Sequence, residues 1–193
     1  MIVGLFFGSF NPIHNGHLAI AEYILNHSSI DQLWFVVSPQ NPFKKQESLL
    51  DNQLRFEMVK LAISGHSTIE VCDVEFGLPK PSYTINTLVH LRKIYPNNEF
   101  RLIMGSDNYV LIDKWKDYQK IISEYTLIIY PRPGFDPSSI AIEGNFQLVN
   151  APQMEISSTS IREAISHNRD ISKMVPNSVS TYIAQHNLYR TVD

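Results

Sequence analysis

The sequence has little of what marks secreted or membrane-bound proteins. It contains a single cysteine, Cys72, in 193 residues, so no internal disulfide can form. No stretch approaches the roughly 20 uninterrupted apolar residues that a membrane-spanning helix requires. The N-terminal apolar run has neither a basic flank nor a small-residue cleavage site, and so does not resemble a signal peptide. These absences predict a soluble, cytoplasmic chain with no membrane partner.

A basic excess is also absent. The chain has 16 Lys and Arg against 19 Asp and Glu, a formal net charge of −3, whereas a general nucleic-acid surface usually carries a strong positive excess. We therefore expect no nucleic-acid partner, although a small anionic ligand needs only local positive charge. No internal repeat, low-complexity segment or linker divides the chain, and a chain of this length can bury one sizeable core. This predicts a single domain over residues 1–193, including a C-terminal helical portion from about 157.

What the sequence does contain is an alternation of short apolar runs with helical patterns. The runs are rich in Val, Ile and aromatic residues, as strands buried on both faces should be. They cover residues 2–7, 32–38, 68–74, 100–105, 125–130 and 147–150. The segments between them show helical spacing, as at Leu18, Ala21 and Leu25. The alternation predicts an α/β fold: a Rossmann-like, doubly wound parallel sheet with helices on both faces and ligands at the carboxyl ends of the strands.

A turn rich in glycine and histidine follows the first predicted strand. Residues 8–17 read GSFNPIHNGH. Gly8 permits a backbone conformation that a side chain would block, Pro12 fixes φ, and Gly16 lets another group approach the main chain. Unpaired amides at the start of the following helix suit a phosphate. The spacing differs from the G-x-G-x-x-G dinucleotide motif, which disfavours a hydride-transferring dehydrogenase.

Two histidines in this turn are candidates for the chemistry. His14 and His17 lie three residues apart, so both can face one side of a helix start and donate hydrogen bonds to phosphate oxygens. An isolated H-x-x-H more often only caps or packs a turn. A closed zinc site would need four ligands, and no further Cys/His cluster is visible in the sequence.

A second polar segment, residues 156–162, reads ISSTSIR. Ser160 followed by Glu163 fits a capping box, so the hydroxyls could serve only as a helix N-cap. Arg162 indicates a bound anion at this helix start, because a cation in the first helical turn is unfavourable by about 0.3–1 kcal/mol unless an anion offsets it. A triphosphate would be such an anion. Lys44 and Lys45 form a basic pair in a polar loop after the second strand; taken alone, they would be a solvated pair.

Both segments resemble signatures of one superfamily. Residues 8–17 resemble G-x-F-x-P-x-H-x-G-H, and residues 157–162 resemble S-x-T-x-x-R, of the nucleotidyltransferases that adenylylate or cytidylylate small phosphates. The resemblance covers nearly the whole chain and is closest to bacterial nicotinate-nucleotide adenylyltransferases. Three further stretches resemble that family: PSYT at 81–84, GSD at 105–107 followed by Trp115, and the terminal 175–190. Phosphopantetheine adenylyltransferases share the first signature but lack these stretches.

The resemblance implies transfer of the adenylyl group of ATP to nicotinate mononucleotide in NAD biosynthesis, with Mg²⁺ arriving on ATP and no metal ligand from the protein. It implies catalytic roles for His14, His17, Lys45 and Arg162. It implies ATP-binding roles for Gly8, Ser9, Phe10, Gly16, Lys44, Arg132, Ser158 and Thr159. It implies mononucleotide-binding roles for Asn11, Thr84, Asp107 and Trp115, with the pyridine ring on Trp115 and its carboxylate at Thr84.

Three positions depart from the family pattern. Asn11 stands where the bacterial signature usually has Asp, in a wording seen in eukaryotic relatives that also accept the nicotinamide form. Lys44 replaces a frequent His, and Lys116 replaces an aromatic that relatives can have. Other acceptors therefore stay open, namely nicotinamide mononucleotide or phosphopantetheine. Two other functions also stay open, namely a non-catalytic nucleotide-binding module and a structural interaction protein. The sequence likewise leaves open whether the chain forms a homo-oligomer.

Overall fold

The computed structural model describes residues 1–39, 49–135, 141 and 144–190. Within these residues six strands form one sheet in the order β3-β2-β1-β4-β5-β6, and every neighbouring pair is parallel. The strands are β1 (Ile2–Gly8), β2 (Gln32–Val37), β3 (Ile69–Cys72), β4 (Glu99–Gly105), β5 (Thr126–Tyr130) and β6 (Phe146–Leu148). This is the doubly wound order, which reverses between β1 and β4 and opens a ligand crevice there. The predicted fold class is confirmed.

Helices connect the strands and cover both faces of the sheet. In the described ranges they are α1 (Asn15–His27), α2 (Asn52–Ala62), α3 (Thr84–Ile94), α4 (Ser106–Tyr109), α5 (Tyr118–Glu124), α6 (Ser158–Ser166) and α7 (Asn177–Gln185), with 3-10 helices at Val74–Gly77 and Ile112–Lys114. None of these helices is long and apolar enough to cross a membrane.

Two apolar layers lie on opposite faces of the sheet because successive side chains of a strand point in opposite directions. Phe6 belongs to the layer that contains α1, α2, α6 and α7, whereas its neighbour Leu5 belongs to the layer that contains α3 and α5. The buried residues of the first layer range from Phe6 to Leu188. The C-terminal helices therefore pack in the same core as the first strand.

The predicted strand positions are confirmed within a few residues, whereas two short helices were not predicted. Helix α4 has 4 residues and α5 has 7, so neither repeats an apolar position often enough to show helical spacing. Strand β6 has only 3 residues and starts one residue before the predicted 147–150. It pairs only with β5 among the described strands.

Candidate active site

Two cavities open at the carboxyl ends of the central strands. The larger, hereafter the aromatic cavity, has a volume of about 340 Å³, and its wall includes Gly8, Glu75, Thr84, Trp115 and Lys116. The smaller, hereafter the histidine cleft, is lined by residues from the start of α1 and the end of β5, among them His14, Gly16, His17 and Arg132. Both cavities adjoin the point where the strand order reverses, as expected for a ligand site of this fold.

The two histidines lie together at the start of α1. Their rings stack with centroids 3.7 Å apart and planes 25° from parallel. His14 is the N-cap residue of α1 by its extended backbone, but its side chain makes no capping hydrogen bond. Its ring is buried, and its Nδ1 has no hydrogen-bond partner among the described residues. The simple capping role considered for this pair is therefore wrong for the His14 side chain.

Burial controls the charge of His14. Removal of the ring from water and, to a smaller extent, the positive charge of Arg132 together lower its pKa from 6.5 to about 4. His14 is therefore neutral at pH 7 in the ligand-free protein. An anion in the histidine cleft would oppose both effects and raise this pKa, because an opposite charge nearby favours the protonated ring.

The glycines of the turn make room for side chains. A Cβ on Gly8 would lie 2.6 Å from the ring of Phe10, and one on Gly16 would lie 3.0 Å from Nδ1 of His14. Among the described residues, the glycines with positive φ are Gly134 and Gly144, while in the turn it is Phe10 that has positive φ, 44°. The expectation of an unusual backbone conformation at Gly8 is therefore wrong; that glycine is needed for space.

The ring of Phe10 packs against the ring of His17. Phe10 is 2% exposed, and its ring meets that of His17 edge-on with centroids 5.1 Å apart. It also packs against Phe6 and Phe35. A buried aromatic ring in this position fixes the imidazole, although the ring itself does not line either cavity.

The second polar segment begins α6 and contacts the first turn. Ser157 is the N-cap: its Oγ accepts from Ser160 N at 3.0 Å, and Ser160 Oγ accepts from Ser157 N at 3.1 Å. The predicted capping box of Ser160 with Glu163 is therefore wrong; the two residues that form the box are Ser157 and Ser160. Because α6 starts at Ser158, Arg162 lies beyond the first turn, where the dipole penalty is small. The position of Arg162 in the helix therefore does not by itself require a bound anion.

Hydrogen bonds join α6 to the turn after β1. Arg162 Nη1 donates to the carbonyl oxygen of Asn11 at 2.8 Å, and Nη2 donates to Thr159 Oγ1 at 3.3 Å. Ser158 Oγ donates to the carbonyl oxygen of Pro12 at 2.9 Å. The two predicted signature segments, which are about 150 residues apart in the chain, are thus in direct contact.

The side-chain oxygen of Asn11 accepts hydrogen bonds from two other segments of the chain. Tyr189 donates its hydroxyl hydrogen to Asn11 Oδ1 at 2.8 Å, and Leu50 N donates to the same atom at 3.4 Å. Asn11 is 4% exposed. Tyr189 lies in the terminal stretch 175–190 that resembles the family, although no role was predicted for it, and it fixes the turn from the C-terminal end of the chain.

Arg55 was also missed. It is 0% exposed, and its guanidinium donates to the carbonyl oxygens of Ser9 at 2.5 Å, Ser38 at 2.9 Å and Leu50 at 3.0 Å, and to Asn52 Oδ1 at 2.7 Å. Burial lowers its pKa to about 10, so it stays charged at neutral pH. Arg55 ties together the segments that follow β1 and β2.

The aromatic cavity has polar groups at one end and a cationic wall. Thr84 is the first residue of α3, so backbone amides of a helix start lie at the cavity. Trp115 and Lys116 lie on its wall, and Lys116 Nζ is 4.8 Å from the ring centroid of Tyr83. The arrangement suits a flat, anionic ligand, because aromatic faces stack on it and amides and a cation meet its charge.

Asp107 and Arg132 form a pair beside the histidine cleft. Asp107 Oδ1 lies 3.8 Å from Arg132 Nε, and a side chain on Gly105 would collide with both residues. Asp107 lies inside the short helix α4, whose N-cap is Gly105, so Asp107 is not the residue that caps this helix. Lys44 and Lys45 lie outside the described residues.

Known proteins resemble the chain over most of its length. The family model described as cytidylyltransferase-like matches residues 5–164. A "Probable nicotinate-nucleotide adenylyltransferase" of Flavobacterium johnsoniae is 43% identical over 192 residues, covering 98% of this chain and 100% of that protein. The protein of the same name in Bacteroides fragilis is 46% identical over 182 residues, covering 94% and 90%. The solved Plasmodium falciparum nicotinic acid mononucleotide adenylyltransferase complexed with NaAD superposes with a TM-score of 0.81 at 26% identity, covering 97% of each chain.

Proposed function

Because the chain belongs to the nicotinate-nucleotide adenylyltransferases of the cytidylyltransferase-like family, we propose that it transfers the adenylyl group of ATP to nicotinate mononucleotide. The products are nicotinate adenine dinucleotide and pyrophosphate, a step of NAD biosynthesis. The observation that carries the proposal is the adjacency of two sites at the strand reversal: a cleft with stacked histidines, and a cavity with an aromatic wall and a helix start. One suits phosphates and the other a flat anionic ring.

The acceptor occupies the aromatic cavity. Its pyridine ring stacks on Trp115, which contributes about 0.5–1.5 kcal/mol beyond burial. Its carboxylate meets the first amides of α3 and the hydroxyl of Thr84. A volume of about 340 Å³ lies within the range of about 300–1,000 Å³ that small-molecule sites have. Asn11 and Asp107 complete the acceptor site near the ribose phosphate.

The triphosphate of ATP occupies the histidine cleft. His14 and His17 bind the α- and β-phosphates, with the main chain of Gly8, Ser9 and Gly16 close by and Phe10 behind His17. Arg162, with Ser158 and Thr159, binds the β- and γ-phosphates. The adenine lies against Arg132, and Lys44 and Lys45 cover the phosphates. Support comes from the contacts of Arg162 and Ser158 with the turn after β1.

The acceptor phosphate attacks the α-phosphorus of ATP in line. One bond forms between an oxygen of the acceptor phosphate and the α-phosphorus. The bond between the α-phosphorus and the oxygen that bridges it to the β-phosphate breaks, and that oxygen leaves with pyrophosphate. An ionised phosphate is already a nucleophile, so no general base and no covalent intermediate are needed. The protein supplies positioning and charge stabilisation, as in phosphoryl transfer generally. His14, neutral before ATP binds, takes up a proton more readily beside the phosphates.

Magnesium enters with ATP. No group of three or more His, Cys, Asp and Glu that could hold a metal ion occurs in the described parts of the chain. Mg²⁺ keeps much of its hydration and commonly binds through substrate phosphates, so we assign it no ligand from the protein. When bound, it neutralises charge on the leaving pyrophosphate.

The proposal further treats residues 1–193 as one domain in the cytoplasm. The single domain is supported by the buried residues of α6 and α7, such as Ile161 and Val179, which belong to the same apolar layer as Phe6 of β1. A homo-oligomer is compatible with this proposal and is not required by it.

The proposal is tested by measuring pyrophosphate release with Mg-ATP and one acceptor at a time. The acceptors are nicotinate mononucleotide, nicotinamide mononucleotide and phosphopantetheine. We expect the first to give the highest kcat/KM, with the mass of nicotinate adenine dinucleotide in the product. Higher kcat/KM with either other acceptor would contradict the assigned substrate. ATP binding without release of pyrophosphate in any of the three reactions would instead indicate a non-catalytic module.

A further inference from the structure

A buried carboxyl lies in the wall of the aromatic cavity. Glu75, in the 3-10 helix Val74–Gly77, is 1% exposed and still lines the cavity. Its Oε1 accepts a hydrogen bond from Thr87 Oγ1 at 2.7 Å. Its Oε2 is buried and makes no hydrogen bond with any described residue. None of the roles assigned above uses this side chain.

Glu75 connects the elements that surround Thr84. The hydroxyls of Ser38, after β2, and Ser82, before α3, lie beside its carboxyl and favour its ionised form, although Ser82 Oγ does not reach hydrogen-bonding geometry. Thr87 lies within α3 and is 0% exposed. The carboxyl therefore contacts the chain on both sides of Thr84.

Resting on the proposed function, we propose that Glu75 is a positioning residue for the acceptor. Through the hydrogen bond from Thr87 it fixes the first turn of α3, and so places Thr84 and the neighbouring amides where the pyridine carboxylate binds. Glu75 does not take part in the reaction; its effect is on acceptor affinity. ATP binds at the histidine cleft, which Glu75 does not line, and its affinity should be independent of Glu75.

The charge of Glu75 decides whether an anionic acceptor is tolerated. Burial raises the pKa of Glu75 by more than the hydroxyls of Thr87, Ser38 and Ser82 lower it. The protonated carboxyl is neutral and does not repel a carboxylate. An ionised carboxyl in the cavity wall would repel the acceptor carboxylate and weaken binding about tenfold or more. Acceptor KM should therefore rise as pH passes upward through the pKa of Glu75.

Other titratable residues of the described chain lie near this carboxyl, among them Tyr83 and Tyr130 of the cavity wall. Cys72 at the end of β3 interacts with it electrostatically, and burial raises the pKa of that thiol to about 11, so the thiol is neutral over the pH range of the test. Lys114 and Lys116 share the cavity wall. Asp73 and Glu70, the other carboxylates near Cys72, belong to the same stretch of chain.

Three variants test this role. Glu75→Gln keeps the shape and neutrality of the protonated carboxyl, Glu75→Asp keeps the acid but withdraws it by one methylene, and Glu70→Gln removes an exposed carboxylate from β3 as a matched control. For each, and for the unmodified chain, kcat and the KM values for nicotinate mononucleotide and ATP are measured from pH 5 to 9, so that the range begins near the ordinary pKa of a glutamate side chain. Circular dichroism checks that each variant is folded.

The expected result is a split between the two substrates. Glu75→Asp loses the hydrogen bond from Thr87; it raises the KM for nicotinate mononucleotide about tenfold and leaves the KM for ATP within about twofold. Glu75→Gln matches the unmodified chain at pH values below the pKa of Glu75 but loses the rise in acceptor KM above it, whereas Glu70→Gln keeps that rise.

Equal changes in both KM values, or the same pH profile with and without Glu75, would overturn the proposal. If Glu75→Asp fails to fold, the pH profile of Glu75→Gln still decides. Absence of turnover by the unmodified chain with nicotinate mononucleotide would instead refute the proposed function, so the two failures are distinguishable.

Discussion

Replacing Arg55 by lysine is expected to lower both the free energy of unfolding and the turnover rate. The buried guanidinium donates to three backbone carbonyls and one side-chain oxygen, at distances of 2.5 to 3.0 Å. An ammonium group is a point donor, whereas a guanidinium is a planar fork. Lysine therefore cannot reach carbonyls that lie on separate segments, and at least two of them should lose their donor.

The size of the effect follows from those lost bonds. A buried polar group without a partner costs about 1–3 kcal/mol, so two of them cost about 2–6 kcal/mol. For a chain of this length, 1 kcal/mol corresponds to about 2–4 °C in the melting temperature. Arg55→Lys should therefore melt at least about 4 °C below the unmodified chain. Turnover should fall as well, because the bonds to Ser9 and Ser38 hold the segments after β1 and β2.

The assay is thermal unfolding followed by circular dichroism, with kcat measured at a temperature where both proteins are folded. Arg92→Lys is the matched control, because Arg92 forms an exposed ion pair with Glu124 at 2.9 Å, and such pairs contribute about 0–1 kcal/mol. A melting temperature of Arg55→Lys within 1 °C of the control would refute the assigned role of the guanidinium.

Three further predictions concern the two histidines and Arg162. His17→Ala should lower kcat by about 10²-fold or more if the ring stabilises developing charge, with exposed His27→Ala as control; unchanged turnover in a folded variant would remove His17 from the mechanism. Arg162→Ala should raise the KM for ATP more than that for the mononucleotide, and equal increases would contradict its placement at the triphosphate. His14 has a pKa of about 4 when folded and 6.5 as its ordinary value, so unfolding takes up a proton between these pH values. The free energy of unfolding should therefore fall as pH drops from 6.5 towards 4, by about 3 kcal/mol at most, and chemical denaturation of His14→Gln should show a smaller fall.

The fold was predictable because its strands are buried on both faces. A buried parallel strand is a continuous apolar run, and the run predicted at 32–38 is the strand Gln32–Val37. The short helices α4 and α5 gave no such signal. The exact start of α6 could not be predicted from the sequence, because Ser157 and Ser160 are both acceptable N-cap residues. Only their hydrogen bonds distinguish them.

The proximity of the two signature segments was predicted from their resemblance, and the bond between Arg162 and Asn11 agrees with it. The supporting residues were not predicted. Arg55 lies in a helical pattern where arginine normally indicates a solvated face, and Glu75 and Tyr189 lie in irregular or terminal segments. Their burial depends on which distant segments meet them, and this is a property of the tertiary structure that local pattern does not contain. The ligand roles of the site residues stay predictions.

The most direct test of the central claim uses nicotinate mononucleotide with ¹⁸O in the non-bridging oxygens of its phosphate. The chain is incubated with this acceptor and unlabelled Mg-ATP, and both products are analysed by mass spectrometry. Attack of the acceptor phosphate on the α-phosphorus predicts that nicotinate adenine dinucleotide keeps all of the label and that pyrophosphate carries none. Labelled pyrophosphate, or release of pyrophosphate without labelled dinucleotide, would contradict the account.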